Sequence, residues 1–355
     1  MYKFLTDLLG NELIAMVIAT ALPLVFIVPF VIFGVLAERK VSAHMQDRLG
    51  PMRVGWHGWL QCVADFFKLL QKEDIVPSAT DKGLYNVAPY LVFTGSYIAY
   101  AALPFSSGYI GSSVDIGLFY IIAVSSLVVA GILMAGWASN NKYSLYGAMR
   151  SAAQIVSYEI PTAIVILSVV MFTGTLSLSK ISEMQTSFFW NWNILGGADG
   201  GYTKFLMIPF MLIAFVLFYI SSLAEVNRTP FDMPEAESEL VAGYNTEYSG
   251  IKFSMFFLAE YANMFAVSAI AATLFFGGYQ SPFGYLGNTL GIPWLVPFEQ
   301  LFWFCIKGIF FVFVQMWLRW TLPRVRVDQL MTICWKYLIP YAFVNLIIIG
   351  IITLL

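Results

Sequence analysis

Eight long apolar stretches constrain this chain more than any other feature: residues 13–37, 87–105, 116–139, 152–175, 205–222, 253–278, 300–318 and 337–355. Five of them hold no charged residue at all. Each approaches the roughly 20 residues an α-helix needs to cross bilayer hydrocarbon. A soluble core has no use for so many such runs, and only 11% of the 355 residues are charged, against about 25% in an ordinary soluble domain. The expected fold is an all-α polytopic membrane protein, one membrane domain over 1–355 with about eight transmembrane helices. The first stretch is too long for a signal peptide and lacks a basic n-region, so it is expected to stay as the first span.

Eight spans place both termini on one side. The alternate loops 38–86, 140–151, 223–252 and 319–336 carry fifteen of the nineteen Lys and Arg residues, while the other side carries Lys3, Lys180 and Lys204. The positive-inside rule then predicts outward termini and large loops facing the cytoplasm. A net charge of −2 leaves no basic field for nucleic acid. Cys62, Cys305 and Cys334 are far apart, and the only histidines are His44 and His57. No iron–sulfur, zinc or haem site is expected from such a set, so any electron carriers belong to another chain.

The loop from Glu38 to Asn86 contains a helical pattern. Gln61, Asp65, Lys68 and Lys72 recur at steps of four, three and four, with Trp59, Leu60, Val63, Phe66, Phe67 and Leu70 on the remaining face. This predicts an amphipathic helix in the membrane interface, which either covers neighbouring spans or helps to admit an amphiphilic ligand. Arg39, Lys40, Arg48 and Arg53 lie among Gly50, Pro51 and Gly55, a turn-rich setting.

Ionisable groups inside a bilayer are expensive and by default mark function. Glu159 follows Arg150 by nine residues, which places it roughly 13 Å inside the fourth span. Glu260 is at similar depth in the sixth span, Glu225 closes the fifth, and Lys307 in the seventh is a candidate counter-charge or structural partner for one of them. Between the fifth and sixth spans, Asp232, Glu235, Glu237, Glu239 and Glu247 face a single base, Arg228. Such crowding fits either a solvated acidic loop or a set of carboxylates that raise one another's pKa and titrate in coupled steps. Continuity with Glu225, Glu159 and Glu260 favours a conduit for protons or charge state.

Six segments carry a family resemblance: ERKVSAHMQDRLGP at 38–51, ADFFKLLQKED at 64–74, SYEIP at 157–161, AEVNRTPFDMPEAESELVAGYNTEYSG at 224–250, FLAEYANM at 257–264 and WLRWTLPRVRVDQLM at 317–331. Together they resemble the H-subunit family of proton-pumping NADH:quinone oxidoreductase, respiratory complex I, from the first span to the last. The resemblance implies a membrane subunit that forms part of a quinone chamber and couples quinone reduction to proton translocation, without being the redox catalyst. Arg39, Asp65, Arg228, Phe231 and Asp232 match positions in or around that chamber. Glu159, Glu225, Glu235, Glu237, Glu239, Glu247 and Glu260 match the acidic path toward the pumping subunits, and Lys307 is grouped with them. Quinone is the implied substrate, with flavin and iron–sulfur clusters in partner subunits and no cofactor in this chain. Peripheral-arm quinone-site subunits, neighbouring membrane-arm subunits and lipid are the implied partners; the lack of a transit peptide makes a bacterial plasma membrane the expected location, with the mitochondrial inner membrane as the alternative. The rivals are the homologous membrane subunit of an energy-converting hydrogenase and an independent cation/proton antiporter. The antiporter predicts polar residues in the outer halves of the spans, where this chain has few charges.

Overall fold

The computed structural model of the chain describes residues 10–108, 114–197, 201–234, 237–289 and 291–354. The regular structure within them is helical. The main helices are α1 Glu12–Met45, α2 Gln61–Gln71, α3 Lys82–Ile98, α4 Gly117–Ala138, α5 Lys142–Thr173, α6 Leu178–Met184, α7 Tyr202–Glu225, α8 Gly250–Phe275, α9 Val296–Thr321 and α10 Val327–Leu354. Seven described helices are long and apolar enough to cross a membrane. The second expected span is the 17-residue α3, extended by a tighter 3₁₀ turn, Ala99–Ala102. Helix and turn together rise about 34 Å, enough for hydrocarbon.

Local chemistry sets several of these ends. The Asp81 carboxylate accepts from Gly83 and Leu84 N–H and starts α3, and Asn141 accepts from Tyr143 N–H to start α5. Both are N-caps that satisfy amides the first helical turn leaves unpaired. Gly174, in the left-handed region at φ 68°, stops α5.

α8 is the hub. It packs against α1, α2, α3, α6, α7 and α9, and its inner positions are small, with Ala259, Ala262, Ala266, Ala269, Ala271 and Ala272 buried. Small residues let neighbouring backbones approach where lipid offers no hydrophobic drive for helix association. α3, α4 and α5 follow one another in contact, and α10 closes the bundle against α5 and α7.

Hydrogen bonds fix which loops share a side. Asp81 N–H donates to Ala138 O, Asn140 Nδ2 to Ala79 O, Asn141 Nδ2 to Glu247 Oε1, and Val325 N–H to Pro230 O, which joins the four basic loops at one end of the bundle. At the other end Ser107 N–H donates to Gln300 Oε1, Leu118 N–H to Leu176 O, and Gly277 N–H to Gln185 Oε1. The alternation of loops expected from the charge pattern is therefore the alternation of the fold.

Candidate functional site

Three connected features line the basic-loop half. The first is a cavity of about 350 Å³ between α1, α2 and α8. Val28, Val31, Ile32, Val35, Phe253 and Phe257 give it apolar walls, and Arg39, Asp65 and Lys68 stand at its polar end. Its size and chemistry fall in the usual range of small-molecule sites, mostly apolar with a few placed polar groups. Arg39 Nη1 donates to Asp65 Oδ2 at 2.6 Å and Lys68 Nζ to Asp65 Oδ1 at 3.1 Å, so the pair ties α2 to α1. Burial pushes the Asp65 carboxyl up, but the hydrogen bonds from Arg39 and Lys68 outweigh it and hold its pKa below the usual range. Burial raises the pKa of the neighbouring Cys62 thiol. The pattern read over 61–72 is thus a helix over Gln61–Gln71, yet Asp65 and Lys68 of its polar stripe line this cavity, while Phe67 and Leu70 are exposed.

The second feature is a buried ionic cluster one residue away. Successive residues of a helix point about 100° apart, so Glu38 turns inward where Arg39 faces the cavity. Arg228, 3% exposed, reaches Glu38 Oε1 at 3.4 Å with Nη1 and Glu260 Oε1 at 3.1 Å with Nε. Arg319, at the end of α9, also donates to Glu38. The Tyr261 hydroxyl donates to Glu38 Oε2 at 2.5 Å, and the Arg228 guanidinium lies 4.6 Å over the Tyr261 ring. Two carboxylates and two guanidiniums balance, which offsets the desolvation that makes buried charge costly.

The third feature is a small, mostly apolar cavity of about 80 Å³ among α3, α4, α5, α7 and α8, whose polar lining residues are Glu159, Glu225, Ser125, Thr162 and Asn263. The Ser125 hydroxyl donates to Glu159 Oε1 at 2.9 Å. Val226 and Asn263 of its lining lie two and three residues along the chain from Arg228 and Glu260, so this cavity neighbours the ionic cluster.

The described residues of the loop 226–249 pack against α5 and its neighbours. Phe231 is buried against Tyr158, ring centroids 5.4 Å apart, and its carbonyl accepts from Gln154 Nε2 at 2.6 Å. Asp232 is half-buried beside it. Glu239, in the one-turn helix Glu237–Leu240, accepts from Arg150 Nη1 at 2.5 Å, and that bond holds its pKa below the usual carboxylate range. Glu247 accepts from Asn141 Nδ2 at 2.6 Å. Glu235 and the Glu237 side chain lie outside the described residues.

The structure therefore brings Arg39 with Asp65, Arg228 with Glu260, and Glu159 with Glu225. It does not bring Lys307 to any of these acids, and the expected counter-charge role is corrected. The Lys307 ammonium donates to the carbonyls of Phe276, Gly278 and Gln280 at 2.6, 3.0 and 2.7 Å, at the far end of α8, and lies 4.3 Å over Trp192. Twelve helical residues separate it from Arg319, roughly 18 Å along α9, and it serves there as a cap for carbonyls that a helix end leaves unpaired. Glu38 and Arg319 are central residues that sequence reasoning did not single out. Both lie inside segments that carry the family resemblance, but at the edges of long spans each reads equally as the start of a solvated loop.

Known proteins share this chain's sequence along almost its whole length. A family model described as NADH dehydrogenase matches residues 18–350. The chain is 52% identical to the H subunit of NADH-quinone oxidoreductase from Chlorobium luteolum, covering 95% of this chain and 89% of the relative. It is 52% identical to the same subunit from Chlorobaculum tepidum, covering 95% and 92%, and 45% identical to that from Rickettsia prowazekii, covering 94% and 91%. The chain thus belongs to the NADH-quinone oxidoreductase H-subunit family, a membrane subunit of complex I.

Proposed function

We propose that this chain forms the membrane wall of a quinone chamber and that the acids behind the wall couple quinone reduction to proton translocation. The observation that carries this reading is the adjacency of Arg39 and Glu38 on α1. One faces an apolar cavity, and the other is the hub of a buried cluster that neighbours the acid-lined cavity. A quinone has a long apolar tail and a polar headgroup with two carbonyl acceptors. The α1–α2–α8 cavity suits such a molecule, with Val, Ile and Phe along its length and a guanidinium at one end.

In this reading α2 lies in the membrane interface. Trp56 at 78% exposure, together with Trp59, Leu60 and Phe67, presents the apolar surface such a position requires. The basic-loop end faces the cytoplasm of a bacterial plasma membrane and meets the peripheral-arm subunits that carry flavin and iron–sulfur clusters. Reduction of quinone to quinol takes up two protons and two electrons. The field change it makes acts on Arg39 and Asp65, then on Glu38, Arg228 and Glu260, and then on Glu225 and Glu159. Charges within about 4–6 Å shift carboxylate pKa values by one to three units, so proton occupancy and the packing of the 226–249 loop respond together. Asp232, Glu235, Glu237, Glu239 and Glu247 form the loop side of this path. Lys307 has no place in it.

Glu260→Gln and Glu225→Gln in the assembled complex test the reading. The expected result is at least a tenfold loss of NADH:quinone turnover and of proton uptake by inverted vesicles, with NADH oxidation by a hydrophilic acceptor unchanged. Wild-type coupled turnover in both variants refutes it.

A further inference from the structure

Asn263 lies one turn beyond Glu260 on α8, a spacing that puts both on one face of the helix. It lines the same cavity as Glu159 and Glu225. Among the described residues no protein group hydrogen-bonds its side chain. A primary amide has two N–H donors and a carbonyl acceptor, and leaving it unpaired in a membrane interior is costly. The cavity's volume of about 80 Å³ is room for a few water molecules, which need two to four polar partners each. The other neutral polar groups in the wall have little left to offer. The Ser125 hydroxyl is directed to Ile122 O and Glu159 Oε1, and the Thr162 hydroxyl to Tyr158 O. Asn263 is the neutral side chain in the lining that is able to donate to one water and accept from another at once.

We infer that Asn263 positions the water chain that joins Glu260 to the Glu159 and Glu225 pair. The inference rests on the acidic-path reading above. The amide does not titrate. A carboxyl at one end gives up a proton to the first water, each water passes one on, and the carboxylate at the other end takes one up. Asn263 is unchanged, and its role is to hold the waters in line across the turn of α8 between Glu260 and the Glu159 and Glu225 pair.

The test uses the assembled complex in inverted native-membrane vesicles, with Asn263→Leu, Asn263→Ser and Asn263→Asp alongside Glu225→Gln. NADH:quinone turnover is read from pH 6 to 8 with NADH-driven proton uptake, normalised to NADH oxidation by a hydrophilic acceptor. Asn263→Leu, which keeps volume and removes polarity, is expected to lose at least fivefold in turnover and to fall more steeply with rising pH than wild type. Asn263→Ser, which restores a group able to bind water, is expected to return within twofold. Asn263→Asp is expected to add a new ionisation to the pH profile, and it carries the test if the leucine variant does not assemble. Wild-type rates in Asn263→Leu, or an Asn263→Asp profile superimposable on wild type, overturn the inference. So does an Asn263→Ser variant as slow as Asn263→Leu with a wild-type pH profile, which marks packing alone. If Glu225→Gln itself runs at the wild-type rate, the acidic path falls and this inference with it. If Glu225→Gln is impaired while Asn263→Leu is not, only the inference falls.

Discussion

The Tyr261 hydroxyl donates to Glu38 Oε2 at 2.5 Å, which joins α1, seven residues before its end at Met45, to the middle of α8 across 223 positions of sequence. Arg228 occupies the space between these two helices, stacked on the Tyr261 ring and paired with both Glu38 and Glu260. The charges of the cluster balance only while all four ionic partners are present. Removing one leaves a buried charge with nothing to offset its desolvation.

Glu38→Ala is therefore expected to destabilise the basic-loop end by about 3–5 kcal/mol, the range for a broken buried ion pair. Glu38→Gln keeps the shape and one acceptor and is expected to cost less. Thermal melting of the purified complex, read beside native-gel assembly, checks the order. Equal melting temperatures for Glu38→Ala and wild type contradict it.

Asp65 provides a pH dependence whose sign is fixed. Its folded pKa lies below the usual value, so the Arg39–Asp65 tie stabilises the fold fully above the unfolded pKa of about 3.9 and is lost as pH falls through the folded value. Amide exchange in α2 is thus expected to be flat from pH 8 to 5 after correction for intrinsic rates, and to quicken only below about pH 4. Asp65→Asn is expected to show the quickened exchange already at neutral pH and to raise the apparent KM for quinone. Protection of α2 that declines between pH 8 and 6 in the wild type points to a different titrating group.

Lys307→Met removes the donor for three carbonyls at the end of α8. A buried acceptor left unpaired costs about 1–3 kcal/mol, so the melting temperature is expected to fall while turnover per assembled complex stays at the wild-type value. Loss of turnover at an unchanged melting temperature assigns Lys307 to the coupling path instead.

Gly147 tests how the acidic loop is seated. A Cβ there meets the Gly243 Cα at 2.7 Å and the Tyr244 nitrogen at 2.9 Å, backbone atoms that cannot rotate aside. Gly147→Ala is expected to push the 243–245 turn from α5, at a cost of about 1–3 kcal/mol typical of overpacking, and to speed proteolysis and amide exchange across 237–249. An unchanged exchange pattern there shows that the loop has slack the packing does not suggest.

The sequence by itself determined the membrane helices, the alternation of their loops and the amphipathic helix at 61–71. These follow from local rules: a run of about 20 apolar residues has no soluble solution, and a stripe at steps of three and four has one helical face. It also marked Glu159 and Glu260, because a charge inside an apolar run is conspicuous wherever the chain goes next. What only the tertiary structure decided is which groups meet. Glu38 and Arg228 are 190 positions apart and Glu38 and Arg319 are 281 apart, and no local pattern connects them. Lys307 looked like a counter-charge because depth along its own helix is legible, whereas the end of α8 that it caps is not. Asn263 lies within FLAEYANM but had no chemical signal of its own, since an uncharged amide in an apolar run acquires meaning only from the carboxylates placed across a cavity from it. The physical reason is common to all of these residues. Periodicity reports the environment of a residue on its own element, but ion pairing and carbonyl capping are short-range events between elements, and the packing of α8 against α1, α7 and α9 decides them.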